Sequence, residues 1–188
     1  MRLLAGLLAA MLIAQGAPAQ PAPAQPAPLA PVAQLDVARY MGTWYQVALY
    51  PNRFQAQCAR NTTATYRLLA DNTLEVINRC VRADGTADRA TGQARPTGVL
   101  QGGVLAPATL QVRFAPAWLS WLPWVWGNYW VVQLADDYRY AVISEPARDY
   151  LWVLSRKPQL DAADEAVILA RLQAQGFDTA KLQRSPQD

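Results

Sequence analysis

The sequence predicts an all-β fold: an eight-stranded up-and-down antiparallel barrel with one C-terminal α-helix packed on its outside. Between residues 40 and 156, short runs rich in β-branched and aromatic residues alternate with turn signals, as in a β-sandwich or a barrel. The first run, TWYQVAL at residues 43–49, is apolar on both faces, whereas a sandwich strand shows a sharper contrast between its faces. This pattern favours the barrel, and a barrel of eight strands can hold one small ligand.

The predicted strands are separated by turns whose residues explain the chain reversals. Asp71-Asn72 and Asp84-Gly85 are expected to form tight hairpin turns, because these residues tolerate a left-handed backbone. A loop is predicted at residues 98–107, where glycines and Pro107 interrupt the strand pattern. The strands are expected at residues 43–49, 61–69, 73–82, 86–95, 109–114, 128–134, 138–144 and 150–155.

One helix is predicted after the strands, at residues 162–174. Its sequence, AADEAVILARLQA, is rich in strong helix formers. Asp161 is suited to the N-cap, and Gly176 lies where a C-cap is expected. A single helix after eight antiparallel strands fits a barrel with the helix against its outer wall.

The two ends of the chain differ from the predicted domain at residues 35–184. Residues 1–19, with an apolar run at 3–13 and Ala-Pro-Ala at 17–19, are interpreted as a cleaved signal peptide, because eleven apolar residues are too few to form a membrane anchor. Residues 20–34 are Pro- and Ala-rich and are expected to be a disordered leader, and residues 185–188 a loose tail. No cysteine follows the apolar run to carry a lipid, so the sequence predicts export to the periplasm, with an association with the outer membrane left open.

The charged residues argue against several classes of function. The chain has 17 Lys+Arg against 14 Asp+Glu, and the basic residues are scattered, so no nucleic-acid partner is expected. Histidine is absent, which excludes Ser-His-Asp and Cys-His nucleophilic sites and most zinc sites. Acid–base catalysis by carboxylates, Lys or Tyr stays open, but we expect no cofactor, no metal and no catalytic residue.

The two cysteines, Cys58 and Cys80, are expected to form a disulfide. An even number of cysteines without partners for a metal site favours this in an exported chain. The chain-entropy estimate gives about 3 kcal/mol of stabilisation for the loop between them. Two free buried thiols are the alternative.

Three motifs in order along the chain resemble those of the lipocalin family. GTWY at residues 42–45 resembles its Gly-x-Trp signature, DDYRY at 136–140 its turn before the seventh strand, and LSR at 154–156 its last motif, which ends in Arg. The similarity runs from about residue 35 to residue 181. More narrowly, the segments at residues 42–55, 61–79 and 137–158 are similar to those of the bacterial lipocalins related to apolipoprotein D.

The resemblance implies a barrel closed at one end, with Gly42, Trp44 and Arg156 as structural residues of its floor. The Arg156 guanidinium is expected to stack on the Trp44 indole, which accommodates the cation without a carboxylate. Both cysteines then map toward the open end. They are offset by five residues about the Asp71-Asn72 turn, so a disulfide between them requires a loop or bulge before Asn61.

The resemblance also implies which side chains point into a ligand cavity, and strand alternation extends the set. The expected ligand is a fatty acid or lysophospholipid, bound without chemistry. The alternatives are a barrel filled by its own aromatic side chains, and a lipocalin-fold enzyme that uses a cysteine or paired carboxylates. The predicted ligand-binding residues are Tyr66, Asn78, Tyr140, Trp152, Gln46, Ala48, Ala64 and Val76.

A tryptophan-rich segment, WLSWLPWVWGNYW at residues 118–130, is predicted to be mostly a loop at the open end, because Pro123 and Gly127 interrupt regular structure. Trp is favoured at membrane and protein interfaces. Contact with a membrane surface, a homodimer interface, and packing on the protein's own barrel all remain open at this point. The residues concerned are Trp118, Trp121, Trp124 and Trp126.

Overall fold

Eight antiparallel strands close into a barrel in the computed structural model, which describes residues 27–188. The elements are β1 (Leu35–Asp36), α1 (Val37–Tyr40), β2 (Gly42–Leu49), β3 (Cys58–Leu68), β4 (Leu74–Arg82), β5 (Ala87–Pro96), β6 (Val99–Gln101), β7 (Val104–Ala106), β8 (Thr109–Arg113), β9 (Gly127–Leu134), β10 (Tyr140–Ser144), β11 (Leu151–Ser155), α2 (Ala162–Ala174) and β12 (Gln183–Arg184). The barrel follows the order β2-β3-β4-β5-β8-β9-β10-β11 and closes by pairing β11 with β2. The predicted fold class is confirmed.

The two ends of the barrel differ in how they are covered. At the closed end, where β2 begins, β6 and β7 form a short hairpin that pairs with β1 in a separate three-stranded sheet. The expected loop at residues 98–107 is therefore largely strand. The predicted turns at residues 71–72 and 84–85 are confirmed: the Asp71 carboxylate accepts from the Thr73 backbone N–H at 3.0 Å, and Asp84 accepts from that of Thr86 at 2.9 Å.

Arg156 joins the first and last barrel strands at the closed end. Its guanidinium carbon lies 3.8 Å from the centroid of the Trp44 ring, which is fully buried. The same guanidinium donates to the carbonyl oxygens of Arg39, Met41 and, at 2.9 Å, Thr43. A planar donor fork suits this position, because it saturates several carbonyls of the chain entering β2 while it covers an aromatic face.

Three tyrosines fill the barrel just above this floor. The phenolic oxygen of Tyr129 lies 2.6 Å from that of Tyr40 and 2.9 Å from that of Tyr66. Burial raises the pKa of all three phenols, that of Tyr66 to about 12. About 10 Å³ of free space remains among them and the surrounding apolar residues, which is room for roughly one water molecule.

The helix α2 packs on the outer wall of β9, β10 and β11. Ile168 and Leu172 are buried against Val142 and Val153 of the barrel. Arg139 donates to both carboxylate oxygens of Asp164, at 2.8 and 2.7 Å, and these hydrogen bonds lower the pKa of Asp164. Within residues 27–188, no helix is both long and apolar enough to cross a membrane.

The predicted leader and tail differ from the structure where it describes them. Residues 1–26, with the predicted signal peptide, lie outside the described residues. Leu29 is buried among the residues that contact α2, and the Val32 backbone bonds to Val131 and Ala108, so the second half of the leader is ordered. This part of the leader packs on the barrel because Leu29 supplies a large apolar side chain, which Pro and Ala do not provide.

We expect Arg156→Ala to lower the free energy of unfolding by about 2–4 kcal/mol, because several carbonyls lose their donor and Trp44 loses its cover. Arg156→Lys should recover only part of this, since an ammonium lacks the planar fork. Urea unfolding followed by tryptophan fluorescence measures both. Arg67→Gln, an exposed arginine paired with Glu75 at 3.4 Å, is the control and should change stability by less than about 0.5 kcal/mol. An equally small effect of Arg156→Ala would contradict this role.

The tyrosine cluster predicts a loss of stability at high pH. The pKa of each phenol is higher in the folded protein than in the unfolded chain, where it is about 10. The contribution of the cluster to the free energy of unfolding is therefore complete below about pH 10 and is lost as the pH rises from about 10 through about 12. Urea unfolding at pH 8 to 11, with phenolate absorbance at 295 nm, tests this. Tyr129→Phe should make the pH dependence shallower. Ionisation of all tyrosines near pH 10 with the native circular dichroism intact would contradict the burial of the cluster.

Candidate ligand-binding site

An open cavity of about 590 Å³ lies beside the upper part of β2, above the tyrosine-filled part of the barrel. Its volume is within the range typical of small-molecule sites. Apolar side chains of Leu49, Pro51 and Ala56 line one part of it, and polar groups line the rest. Its full lining is Gln46, Leu49, Pro51, Asn52, Arg53, Gln55, Ala56, Cys58, Ala59, Thr62, Gln183, Arg184, Ser185 and Pro186.

A chain of side-chain hydrogen bonds crosses the top of the barrel beside this cavity. The Trp152 indole N–H donates to Gln55 Oε1 at 2.7 Å, and the Gln55 amide donates to Gln46 Oε1 at 2.8 Å. The Gln46 amide in turn donates to the Ser185 hydroxyl at 2.9 Å. The network connects the barrel wall, the loop between β2 and β3, and the C-terminal segment, and it satisfies the polar atoms of Gln46, which is only 4% exposed.

The cavity has a cationic lining. Among the described residues that line it, those that carry charge are Arg53 and Arg184. An anionic group of a ligand would therefore meet no carboxylate in the lining. At the edge it would meet the exposed guanidinium of Arg53, while that of Arg184 is paired with Glu165 at 2.5 Å. This arrangement can bind and orient a negatively charged head group.

The predicted disulfide is confirmed and lies beside the cavity. Cys58 and Cys80 are bonded, with 5.6 Å between their Cα atoms, and β3 shows register shifts against β4 between Cys58 and Thr63, as a bulge before Asn61 requires. Asp88 lies next to the pair. Hydrogen bonds from Gln57 and Arg82 lower the pKa of Asp88, which keeps this carboxylate paired at the edge of the opening.

Six of the eight predicted ligand-binding residues face the barrel interior, at two levels. Ala64, Tyr66 and Val76 belong to the core cluster of the barrel, near the closed end. Asn78 lies higher on the same face of β4 as Val76, opposite Ala64. Gln46 and Trp152 lie at the level of the polar network, and Gln46 lines the cavity. Their role in ligand binding remains a prediction.

Ala48 and Tyr140 do not face the interior, contrary to the expectation from the sequence. Both are buried in the cluster that contacts α2. The outward orientation of Tyr140 follows from the strand register. Its neighbour Ala141 pairs with Leu154, which faces inward, so strand alternation turns Tyr140 outward. In β2 the register against β11 shifts by one residue between Gln46 and Ala48, so the alternation inverts there.

The structure adds residues that the sequence did not indicate. Gln55 comes from a loop with no pattern of its own, and Tyr40 precedes the first predicted strand. Tyr129 could have been found, because it shares a strand face with Val131. The segment from Ser185 is not a loose tail: the Ser185 backbone N–H donates to the Val47 carbonyl at 2.9 Å, and the Gln187 amide donates to the carbonyls of β2 and β3.

The tryptophan-rich segment divides into one packed residue and three exposed ones. Trp126 lies on the outer wall, where the guanidinium carbons of Arg95 and Arg113 are 4.1 and 5.2 Å from its ring centroid. Trp118, Trp121 and Trp124 are 73%, 75% and 77% exposed. The segment forms two short 3-10 turns, Ala117–Leu119 and Pro123–Val125, between β8 and β9 at the open end.

Comparison with known proteins places this barrel in a family. A family model for the lipocalin-like domain matches residues 35–187. Temperature-induced lipocalin-1 of Arabidopsis thaliana is 35% identical over 160 residues, covering 81% of this chain and 80% of that protein. The outer membrane lipoprotein Blc of Escherichia coli K12 is 37% identical over 149 residues, covering 78% of this chain and 76% of that protein.

Solved structures agree with the fold. Insecticyanin of the tobacco hornworm Manduca sexta superimposes with a TM-score of 0.64 at 18% identity, covering 87% of each chain. The predicted resemblance to the bacterial lipocalins is confirmed by the match to Blc. The chain belongs to the lipocalin family, which suggests that it binds a small hydrophobic ligand.

Proposed function

We propose that this protein binds a single-chain amphiphile with an anionic head, a fatty acid or a lysophospholipid, and stores or transports it in the bacterial cell envelope in support of membrane maintenance. The observation that carries the proposal is the cavity of about 590 Å³, with one apolar part, amide groups and a cationic edge. A neutral or cationic ligand would leave the exposed guanidinium group of Arg53 without a counter-charge, whereas Arg184 is already paired with Glu165.

The lining suits the two parts of such a ligand. Leu49, Pro51 and Ala56 offer apolar surface to an acyl chain, whose burial is worth about 0.8 kcal/mol per methylene. The side-chain amides of Gln46 and Gln55 hydrogen-bond to each other, and either can exchange that bond for one to the ligand's head group. Because the tyrosine cluster fills the lower barrel, the ligand would lie in the upper part and toward the side of β2.

Binding without catalysis is the function that the side chains support. Cys58 and Cys80 are bonded to each other, so neither supplies a thiolate nucleophile. The sequence contains no histidine to act as a general base. A lipocalin-fold enzyme is thus the weaker alternative.

Two observations support an envelope location. The relative Blc is named an outer membrane lipoprotein. Residues 1–19 of this chain have the pattern of a signal peptide, with no cysteine after it to carry a lipid. We therefore propose a periplasmic location, with an association with the outer membrane left open.

We expect saturable micromolar binding of oleate and of an oleoyl lysophospholipid, measured by calorimetry, and a co-purified lipid in native mass spectrometry. Arg53→Gln should weaken oleate binding by roughly 2–5-fold, the value of one exposed charge pair, and should leave monoolein binding unchanged. Arg79→Gln, an exposed arginine on β4 outside the cavity lining, is the matched control. No saturable binding of either lipid would overturn the proposal.

A second function, contact with a membrane surface, is favoured by the exposed tryptophans. Trp118, Trp121 and Trp124 lie together in the connection between β8 and β9, at the open end of the barrel. The sequence from residue 89 to residue 135 contains three arginines and no Asp or Glu. Exposed tryptophans in a stretch of net positive charge without carboxylates fit an anionic bilayer better than a second copy of the same cationic surface.

The triple variant Trp118→Ala, Trp121→Ala, Trp124→Ala should lose at least tenfold in affinity for phosphatidylglycerol vesicles in a sedimentation assay. The control replaces three exposed apolar residues at the closed end, Leu68→Ala, Leu69→Ala and Val99→Ala, and should bind like the parent. Unchanged vesicle binding by the triple variant would exclude the membrane role. Loss of a dimer in sedimentation velocity instead would assign the surface to self-association.

A further inference from the structure

The barrel wall is incomplete between β2 and β3, and the C-terminal segment fills the gap. The two strands pair only at the closed end, from Gly42 opposite Tyr66 to Tyr45 opposite Thr63. Beyond Tyr45, the same edge of β2 pairs with β12 instead, with Gln183 opposite Leu49. The strands therefore diverge toward the open end, and a separate piece of chain lies between them.

Hydrogen bonds hold this segment, residues 183–188, to both sides of the gap. The Asn61 backbone N–H donates to the Pro186 carbonyl at 2.9 Å, which attaches the segment to β3. The Gln187 side-chain amide donates to the Gln46 carbonyl at 2.7 Å and to the Thr62 carbonyl at 3.0 Å, where β2 and β3 separate. One amide thus replaces the backbone donors that a continuous sheet would supply.

The segment is also one wall of the cavity. Residues 183–186 line the cavity opposite the loop between β2 and β3. Removal of the segment would open the cavity through the side of the barrel, between two strands that no longer pair. The same removal would free the amide of Gln46, which donates to Ser185.

The attachment of the segment is weak compared with that of the elements around it. No side chain of residues 183–188 is buried, although all six residues are described. Immediately before them, Phe177 is buried in the cluster that contacts α2, and Leu182 packs against it. The segment is held by hydrogen bonds worth about 0.5–1.5 kcal/mol each and by two solvent-accessible ion pairs, Arg184 with Glu165 and Asp188 with Arg60. It can therefore detach locally while Leu182 stays anchored.

We propose that residues 183–188 form a removable strand that gates a lateral entrance to the ligand cavity between β2 and β3. The inference rests on the proposed ligand binding. It adds the route by which the ligand enters and the segment that regulates this entry. The ligand enters from the side while the strand is detached, and the strand then closes the wall behind it. The loop between β2 and β3 stays in place, held by Gln55 and the disulfide.

The test compares an opened and a locked barrel. The opened variants are a truncation after Leu182 and Gln187→Ala, and the locked variant carries Gln183→Cys with Leu49→Cys, which are direct Cα partners. Stopped-flow fluorescence with dansyl-undecanoic acid gives the rate constants of ligand association and of ligand dissociation. We expect both to rise about tenfold on truncation, severalfold in Gln187→Ala, and to fall at least tenfold in the locked variant.

Controls separate gating from simple loss of stability. Gln101→Ala, the same substitution at an exposed site at the closed end, should leave the rates unchanged. The locked variant is compared with the parent under the same oxidising conditions, and peptide mapping verifies the new disulfide. Unchanged rates in the truncated and locked variants, with melting temperatures within a few degrees of the parent, would overturn the gate.

Hydrogen exchange provides a readout that needs no ligand. The amides of Ser185 and Asn61, which bond across the gap, should exchange much faster than the β3 amides paired with β4. If the probe does not bind but these amides exchange fast, the proposed ligand is wrong, whereas local detachment of the strand is still supported. If they exchange only as fast as global unfolding, the gate is wrong whatever the ligand.

Discussion

The guanidinium of Arg156 covers Trp44 and donates to the carbonyls of the chain that enters β2, and the closed barrel depends on this contact. A sheet of eight strands has two edges unless its first and last strands meet. Arg156 directly follows β11, and Trp44 lies in β2, so the contact fixes the last strand beside the first. The register that follows from it decides which residues face inward in both strands.

Stability is distributed unevenly along the barrel axis as a result. The closed end contains Trp44, the tyrosine cluster and the small sheet of β1, β6 and β7, which all contribute side chains to the same core. The open end contains a cavity, exposed aromatic residues and a strand held by polar contacts. Binding sites are commonly built from the less stable parts of a fold, since ligand entry requires local opening. The disulfide lies at the open end, where it limits that opening to one side.

The sequence was sufficient for the barrel, the hairpin turns, the helix and the disulfide, because each has a local signal. Ala48 and Tyr140 were misplaced for a different reason. Strand alternation has a period of two, so a shift of one residue at Val47 reverses every later assignment in β2. Gln55 and Gln187 carry no periodic pattern, and their partners are set by long-range packing. Family resemblance therefore predicted the floor of the barrel better than the cavity.

The positions of the cavity and of the exposed tryptophans are compatible with each other. In the ring of eight strands, the gap between β2 and β3 is four strands away from the connection between β8 and β9. The two features thus lie on opposite sides of the open end. A bilayer that contacts Trp118, Trp121 and Trp124 would leave residues 183–188 free to move, since these residues face away from that contact. Ligand exchange through the side of the barrel and attachment to a membrane can therefore occur together, whereas entry through the top would bring the two into competition for the same surface.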